Sequence, residues 1–145
     1  MTLRDDIKRD EGLRLIPYKC PRGFWTVGFG HKFDDTVALM LMENCAAPTL
    51  TEKQAEELLD MDLREAEEGF AKIFHSVEIS DVRRDALTNM IFNLGVDGFK
   101  GFRKMIAAVC VGEWERAASE ARDSRWFSQV GAGRAGRIVD ALWKG

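Results

Sequence analysis

Two different spacings of apolar residues divide this chain. From Leu13 to His31 the sequence reads LRLIPYKCPRGFWTVGFGH, where Pro17, Pro21 and Gly23 punctuate short stretches carrying Phe24, Trp25, Val27 and Phe29. Aromatic and β-branched residues between turn formers predict a small antiparallel sheet, too small to stand alone. Ahead of it, Thr2 with Asp5 three residues later predicts the capped start of a short helix, and Gly12 predicts its end. Behind it, Thr51 and Gln54 form a capping box that opens a long helix. There Ala55, Leu58, Leu59, Leu63, Ala66 and Phe70 recur at helical spacing to about Ala71, and the opposite face is crowded with charge. The period stays helical from Ser80 onward, with breaks at Gly95 to Gly101, at Gly112 and at Val130 to Gly133. The stretch from Phe33 to Pro48 has no readable pattern, and there is no internal repeat or low-complexity segment.

The expected fold is therefore α+β and predominantly helical. A chain of 145 residues can bury one good core and can form two small lobes sharing a helix. We expect one domain over 1–145, with lobes at about 13–50 and 74–145 plus helix 1, linked by a helix over 51–71. No apolar run reaches transmembrane length and the N-terminus lacks a signal-peptide core, so a cytosolic origin without membrane insertion is expected. Cys20, Cys45 and Cys110 are an odd set without metal-ligand spacing, and His31 and His75 do not complete one, which predicts free thiols and no metal or other cofactor. Charge is uneven: residues 1–82 carry 10 Lys and Arg against 17 Asp and Glu, whereas residues 83–145 carry 11 against 7, for a net charge of -3. Nucleic acid is not an expected partner of so acidic a chain.

Against this background Glu11 is oddly placed. It stands at the predicted end of the first helix, where the dipole is negative and a carboxylate is mildly destabilised. Stability does not explain it, but a general acid would, since a negative helix end and partial burial both disfavour the charged form of a carboxyl group. A surface glutamate in a last helical turn is also common and usually inert.

Its neighbours change the odds. Glu11 is followed after eight residues by Cys20, after five more by Thr26, and then by the run Thr26-Val-Gly-Phe-Gly-His31. This arrangement resembles the active-site segment of the phage-type lysozymes, the endolysin muramidases of glycoside hydrolase family 24, where aspartate or sometimes cysteine stands at the middle position. Arg83 to Gly95, with Gly98, Gly101 and Phe102, resembles the family's central buried helix. Ser124-Arg-Trp126 through Gly133-Arg-Ala-Gly-Arg137 resembles its C-terminal helices.

The resemblance implies a lysozyme-like fold, with a small N-terminal β-sheet lobe joined by a long helix to a helical C-terminal lobe. It implies a muramidase that cuts the β-1,4 bond between N-acetylmuramic acid and N-acetylglucosamine in peptidoglycan, with inversion, for host cell lysis. Glu11 would be the acid. Cys20 would be a thiolate or polar water-positioner, although a retaining nucleophile, a weakened site or a small buried hydrophobe are also open at that position. Thr26 would hold the attacking water, where otherwise it would be a plain strand residue. Arg134 would pair with Glu11, and Arg137 with Asp10. His31 would pair with Asp62 for stability; such a pair favours the imidazolium, so its contribution fades as pH rises through the titration of the histidine. Phe92 and Asn93 would contact the saccharide, while Phe102 and Trp126 read as core.

The implied partner is the peptidoglycan glycan strand. A monomer would accumulate in the host cytoplasm and reach the periplasmic wall through a lesion made by a holin. Several family members are strongly basic, and the net charge of -3 departs from them. Two other readings fit part of the pattern. A lytic transglycosylase uses a comparable lone glutamate, but Thr26 at a water-positioning place argues against it. A non-catalytic peptidoglycan-binding domain of lysozyme fold would account for Cys20, but not for Glu11, Thr26 and Arg134 together.

Overall fold

The structure is a computed structural model that describes residues 1–35 and 49–145. Cys45, expected as a free thiol, lies outside the described residues, as does most of the unpatterned stretch. The chain divides into two compact units, Met1–Arg64 and Glu65–Gly145.

The first unit opens with α1 (Leu3–Glu11), capped as the sequence predicts: the Thr2 hydroxyl accepts from the Asp5 amide and the Asp5 carboxylate accepts from the Thr2 amide. Gly12 ends it with φ of 68° and its N–H on the Lys8 carbonyl, a conformation that costs glycine little. Three strands follow in the order β1 (Arg14–Lys19), β2 (Trp25–Gly28) and β3 (His31–Phe33), both pairs antiparallel. Pro17 is tolerated because β1 is an edge strand whose register is irregular between Arg14 and Tyr18. The turn into β2 is closed by the Gly23 amide on the Cys20 carbonyl, with Pro21 in its second place and Gly23 at φ of 85°.

Helix α2 (Glu52–Ile73) begins with the reciprocal Thr51 and Gln54 capping box, at 2.9 and 3.1 Å. In this unit Ile7, Val27, Phe29, Ala55 and Leu59 are buried together with Thr26. Lys8 on α1 pairs with Glu56 on α2 at 2.5 Å, and Arg4 pairs with both Glu56 and Asp60. The hydrogen bonds from Lys8 and Arg4 hold the Glu56 carboxyl below its ordinary range. A depressed carboxyl contributes stability that is present above its unfolded pKa and lost as pH falls through the folded one. Glu56→Gln should therefore lower the melting temperature at neutral pH by a few degrees at most, and the gap from the parent protein should close in acid. Melting curves across pH 3 to 7, on the order of that range, check it.

The second unit takes in the C-terminal part of α2, followed by α3 (Asp81–Leu94), α4 (Val96–Lys100), α5 (Arg103–Cys110), α6 (Trp114–Arg122), α7 (Arg125–Val130) and α8 (Ala132–Lys144). Six consecutive residues of α3, Ala86 to Ile91, are buried, so this helix is enclosed on every side rather than laid on a surface. Helix α8 packs on α3 and α6. Its C-terminal carbonyls at Leu142 and Trp143 accept from Arg83, whose guanidinium also lies 4.2 Å from the Trp114 ring centroid. Trp126 is core, as expected, with Phe102 edge-on at 6.4 Å. The break read at Gly95 to Gly101 contains the five-residue helix α4, whose Phe99 is fully buried. No described helix is long and apolar enough to cross a membrane.

Candidate active site

Glu11 occupies the last turn of α1, half-buried. Its carboxylate is held against the β2–β3 turn. A Cβ built on Gly30, where φ is 75°, would stand 2.5 Å from Glu11 Oε2, so only a residue without a side chain lets the turn approach so closely. Tyr18 on β1 shares this neighbourhood. Burial pushes its phenol up, the charge of Glu11 adds to that, Arg14 opposes it, and Cys20 adds again. Glu11 and Cys20 thus both act electrostatically on Tyr18 within the first unit.

Cys20 follows β1, partly buried, at the start of the turn. Burial raises the pKa of its thiol, but hydrogen bonds from the Phe24 and Arg22 amides and the Thr26 hydroxyl, together with the Lys32 charge, outweigh that and leave it below the ordinary value. This is an environment that favours a thiolate. Thr26, 2% exposed, sits one strand over, and its hydroxyl also lies 3.0 Å from the Phe24 carbonyl. A hydroxyl has one proton, which serves the carbonyl or the sulfur at any moment. When it serves the carbonyl, the oxygen presents lone pairs that can accept from a water.

The remaining sequence-predicted residues are placed as follows. His31 Nδ1 is 2.8 Å from Asp62 Oδ2 on α2, within the first unit. Asp10 has a side chain 3% exposed, with Arg9 Nε at 3.6 Å. In the second unit Arg134 is buried on α8 and donates from Nε and Nη2 to Asn89 Oδ1, at 3.0 and 2.8 Å. Arg137 is exposed on the same helix. Phe92 is partly buried against the helical core, and Asn93 accepts from Trp126 Nε1 at 2.9 Å through its side-chain oxygen. Since an indole nitrogen only donates, that bond fixes the amide orientation, and recognition through Asn93 would use its NH2 group.

Two site residues escaped the sequence reading. Asn89 orients Arg134, and its only signal is a polar residue on the buried face of a helix. Gly30 belongs to the run from Thr26 to His31, but its closeness to Glu11 depends on how α1 meets the sheet. Among the described residues no group of His, Cys, Asp and Glu could hold a metal ion.

The phage lysozyme family model matches residues 8–143. The chain is 30% identical over its whole length to the pre-baseplate central spike protein Gp5 of Enterobacteria phage T4, of which it spans 28%. It is 26% identical to "Probable T4-type lysozyme 1" of Dictyostelium discoideum, with 99% of this chain and 95% of that protein covered. It is 35% identical to the endolysin of Salmonella phage P22 over 66% of this chain and 62% of that protein. With a helical fold that carries one small three-stranded sheet, and with a family match across nearly all of its length, the chain belongs to the phage lysozyme family.

Proposed function

We propose that this protein is a peptidoglycan hydrolase, a muramidase that cuts the β-1,4 bond between N-acetylmuramic acid and N-acetylglucosamine with inversion at the anomeric carbon. The observation that carries the reading is the grouping of Glu11, Cys20 and Thr26 in one unit, with the Glu11 carboxylate against Gly30 and the thiol among amide and hydroxyl donors under the charge of Lys32.

Glu11 gives its proton to the glycosidic oxygen as the bond from that oxygen to the anomeric carbon breaks. A water bound to the Thr26 hydroxyl forms the new bond to the anomeric carbon from the opposite face, and its proton passes to the Cys20 thiolate. A family aspartate would supply a negative charge at this point, and the donors around the Cys20 sulfur let a thiolate supply the same charge. Arg134, held by Asn89, is the supporting cation, and Phe92 and Asn93 are saccharide contacts. His31 and Asp62 stabilise the first. The host wall is the substrate, reached from the cytoplasm after a holin opens the membrane, by a monomer.

Variants of Cys20 test the thiolate. Cys20→Ala should lower the clearing rate of permeabilised Gram-negative cells on the order of a hundredfold or more. Cys20→Asp should keep or exceed the parent rate, with the rising limb of its pH profile moved to lower pH, because a carboxylate forms well below a thiol. Equal rates for Cys20→Ala and the parent would reduce the thiol to packing. The likeness to a central spike protein favours a second use of the same chemistry, as a wall-cutting unit carried in a larger particle. Recovery of the chain in purified particles rather than as a free monomer would select that use.

A further inference from the structure

Between Gly12 and Phe33 the chain carries Arg14, Lys19, Arg22 and Lys32 and no Asp or Glu, in a protein of net charge -3. Acidic residues resume at Asp34. The four cations lie over aromatic rings. Arg14 is 4.3 Å from the Tyr18 centroid and Lys19 is 5.4 Å from that of Trp25. Arg22 and Lys32 are each 5.7 Å from the centroid of Phe24.

Strand pairing decides which of them share the face of Thr26. Directly opposed residues in an antiparallel pair project to the same side. Tyr18 opposes Thr26, and Thr26 opposes Lys32, so these three form one row. Lys19 opposes Trp25, which opposes Phe33, and that row lies on the other face. Lys32 therefore sits next to Thr26, while Lys19 does not.

Phe24 is 47% exposed and stays out of the core, so its ring adds little to stability where it is. It does restrict the two cations that lie over it, which lowers the entropy lost when they bind an anion. The Lys32 charge also acts on Cys20, so it operates within reach of the reacting groups.

We propose that Arg22, Phe24 and Lys32 form a carboxylate-binding bracket that holds the peptide stem of peptidoglycan on the sheet face that carries Thr26. This rests on the muramidase reading above. The N-acetylated sugars of the glycan are uncharged, whereas the stem attached to the lactyl group of muramic acid carries free carboxylates beside the bond to be cut. A guanidinium offers them a two-pronged donor, an ammonium adds a point charge, and the exposed part of the Phe24 ring offers apolar surface to the methyl groups of the stem. In an acidic protein this local positive face also orients an anionic polymer as it approaches.

The test is binding by the full chain, followed by amide shifts in nitrogen-15 NMR. The probes are the disaccharide N-acetylglucosaminyl-N-acetylmuramic acid with a tetrapeptide stem and the same disaccharide without it. The stem should tighten binding roughly tenfold at low salt, with the largest shifts near Arg22, Phe24 and Lys32. The variant Arg22→Gln should lose most of that tenfold and keep its affinity for the bare disaccharide. Equal affinity of the parent for both probes, or an equal loss on both, overturns the bracket. So does an Arg22→Gln variant that loses binding to anionic phospholipid vesicles while its affinity for the stem-bearing probe is unchanged, which would make a membrane surface the occupant. A parent protein that binds the stem as described but releases no fragments from sacculi would overturn the muramidase reading and leave the bracket standing.

Discussion

Glu11→Gln is expected to lower wall lysis by about a hundredfold or more, with melting temperature and helical content close to those of the parent. Glutamine keeps the size and the hydrogen-bonding reach of the side chain but has no proton to give to a leaving oxygen. The side chain is half-buried at the end of α1, outside the group of fully buried side chains, so an isosteric amide leaves the packing of the core as it is. Initial rates of turbidity loss together with circular dichroism separate the two effects. An undiminished rate would remove Glu11 from the mechanism, and a collapsed fold would show that the carboxylate is structural.

Gly30→Ala is the second large effect, and it acts through Glu11 rather than on the chemistry itself. The added Cβ would fall 2.5 Å from Oε2 and 2.6 Å from Cδ of Glu11. The far end of a flexible side chain can swing away, so the clash costs the fold little; the backbone at φ of 75° adds about 1–2 kcal/mol of strain for a residue with a Cβ. A swing of about 1 Å displaces the proton donor, and misplacement on that scale costs on the order of a hundredfold in rate. We expect a folded variant, a few degrees less stable, with lysis reduced nearly as far as in Glu11→Gln. Gly112→Ala is the control: its φ is 76° and, its own chain neighbours aside, nothing lies within 4 Å of the built Cβ, so it carries the strain without the clash. If both variants keep the parent rate, Gly30 does not position Glu11.

Much of this was legible in the sequence because local signals carry it. Reciprocal caps at Thr2 with Asp5 and at Thr51 with Gln54 mark the starts of α1 and α2, and Gly12, Gly95 and Gly112 mark ends or breaks. Asp62 was matched to His31 by resemblance, and the two side chains meet at 2.8 Å. The break between α6 and α7 was not read. Its signal is Ser124, whose hydroxyl accepts from the Phe127 amide at the start of α7, in a stretch where the helical period continues on both sides. Helix α4 was hidden among glycines, since Phe99 reveals itself only by its burial.

The site divides along the same line. Spacing singled out Glu11, Cys20 and Thr26, but spacing carries no information about which hydrogens point at a sulfur. The donors around the Cys20 sulfur come from a tight turn and from Thr26 on β2, with the Lys32 charge added from β3, and the buried Asn89 that holds Arg134 lies 45 residues away in sequence. The cationic face of the sheet was likewise invisible until strand register separated Lys32 from Lys19.

The most direct test of the central claim is mass spectrometry of the fragments released from purified Gram-negative peptidoglycan by the full chain. Water attack at the anomeric carbon predicts muropeptides that end in reducing N-acetylmuramic acid. Fragments ending in anhydro-muramic acid would contradict the role given to Thr26 and Cys20 and make the protein a transglycosylase, and no release by well-folded protein would contradict the hydrolase itself.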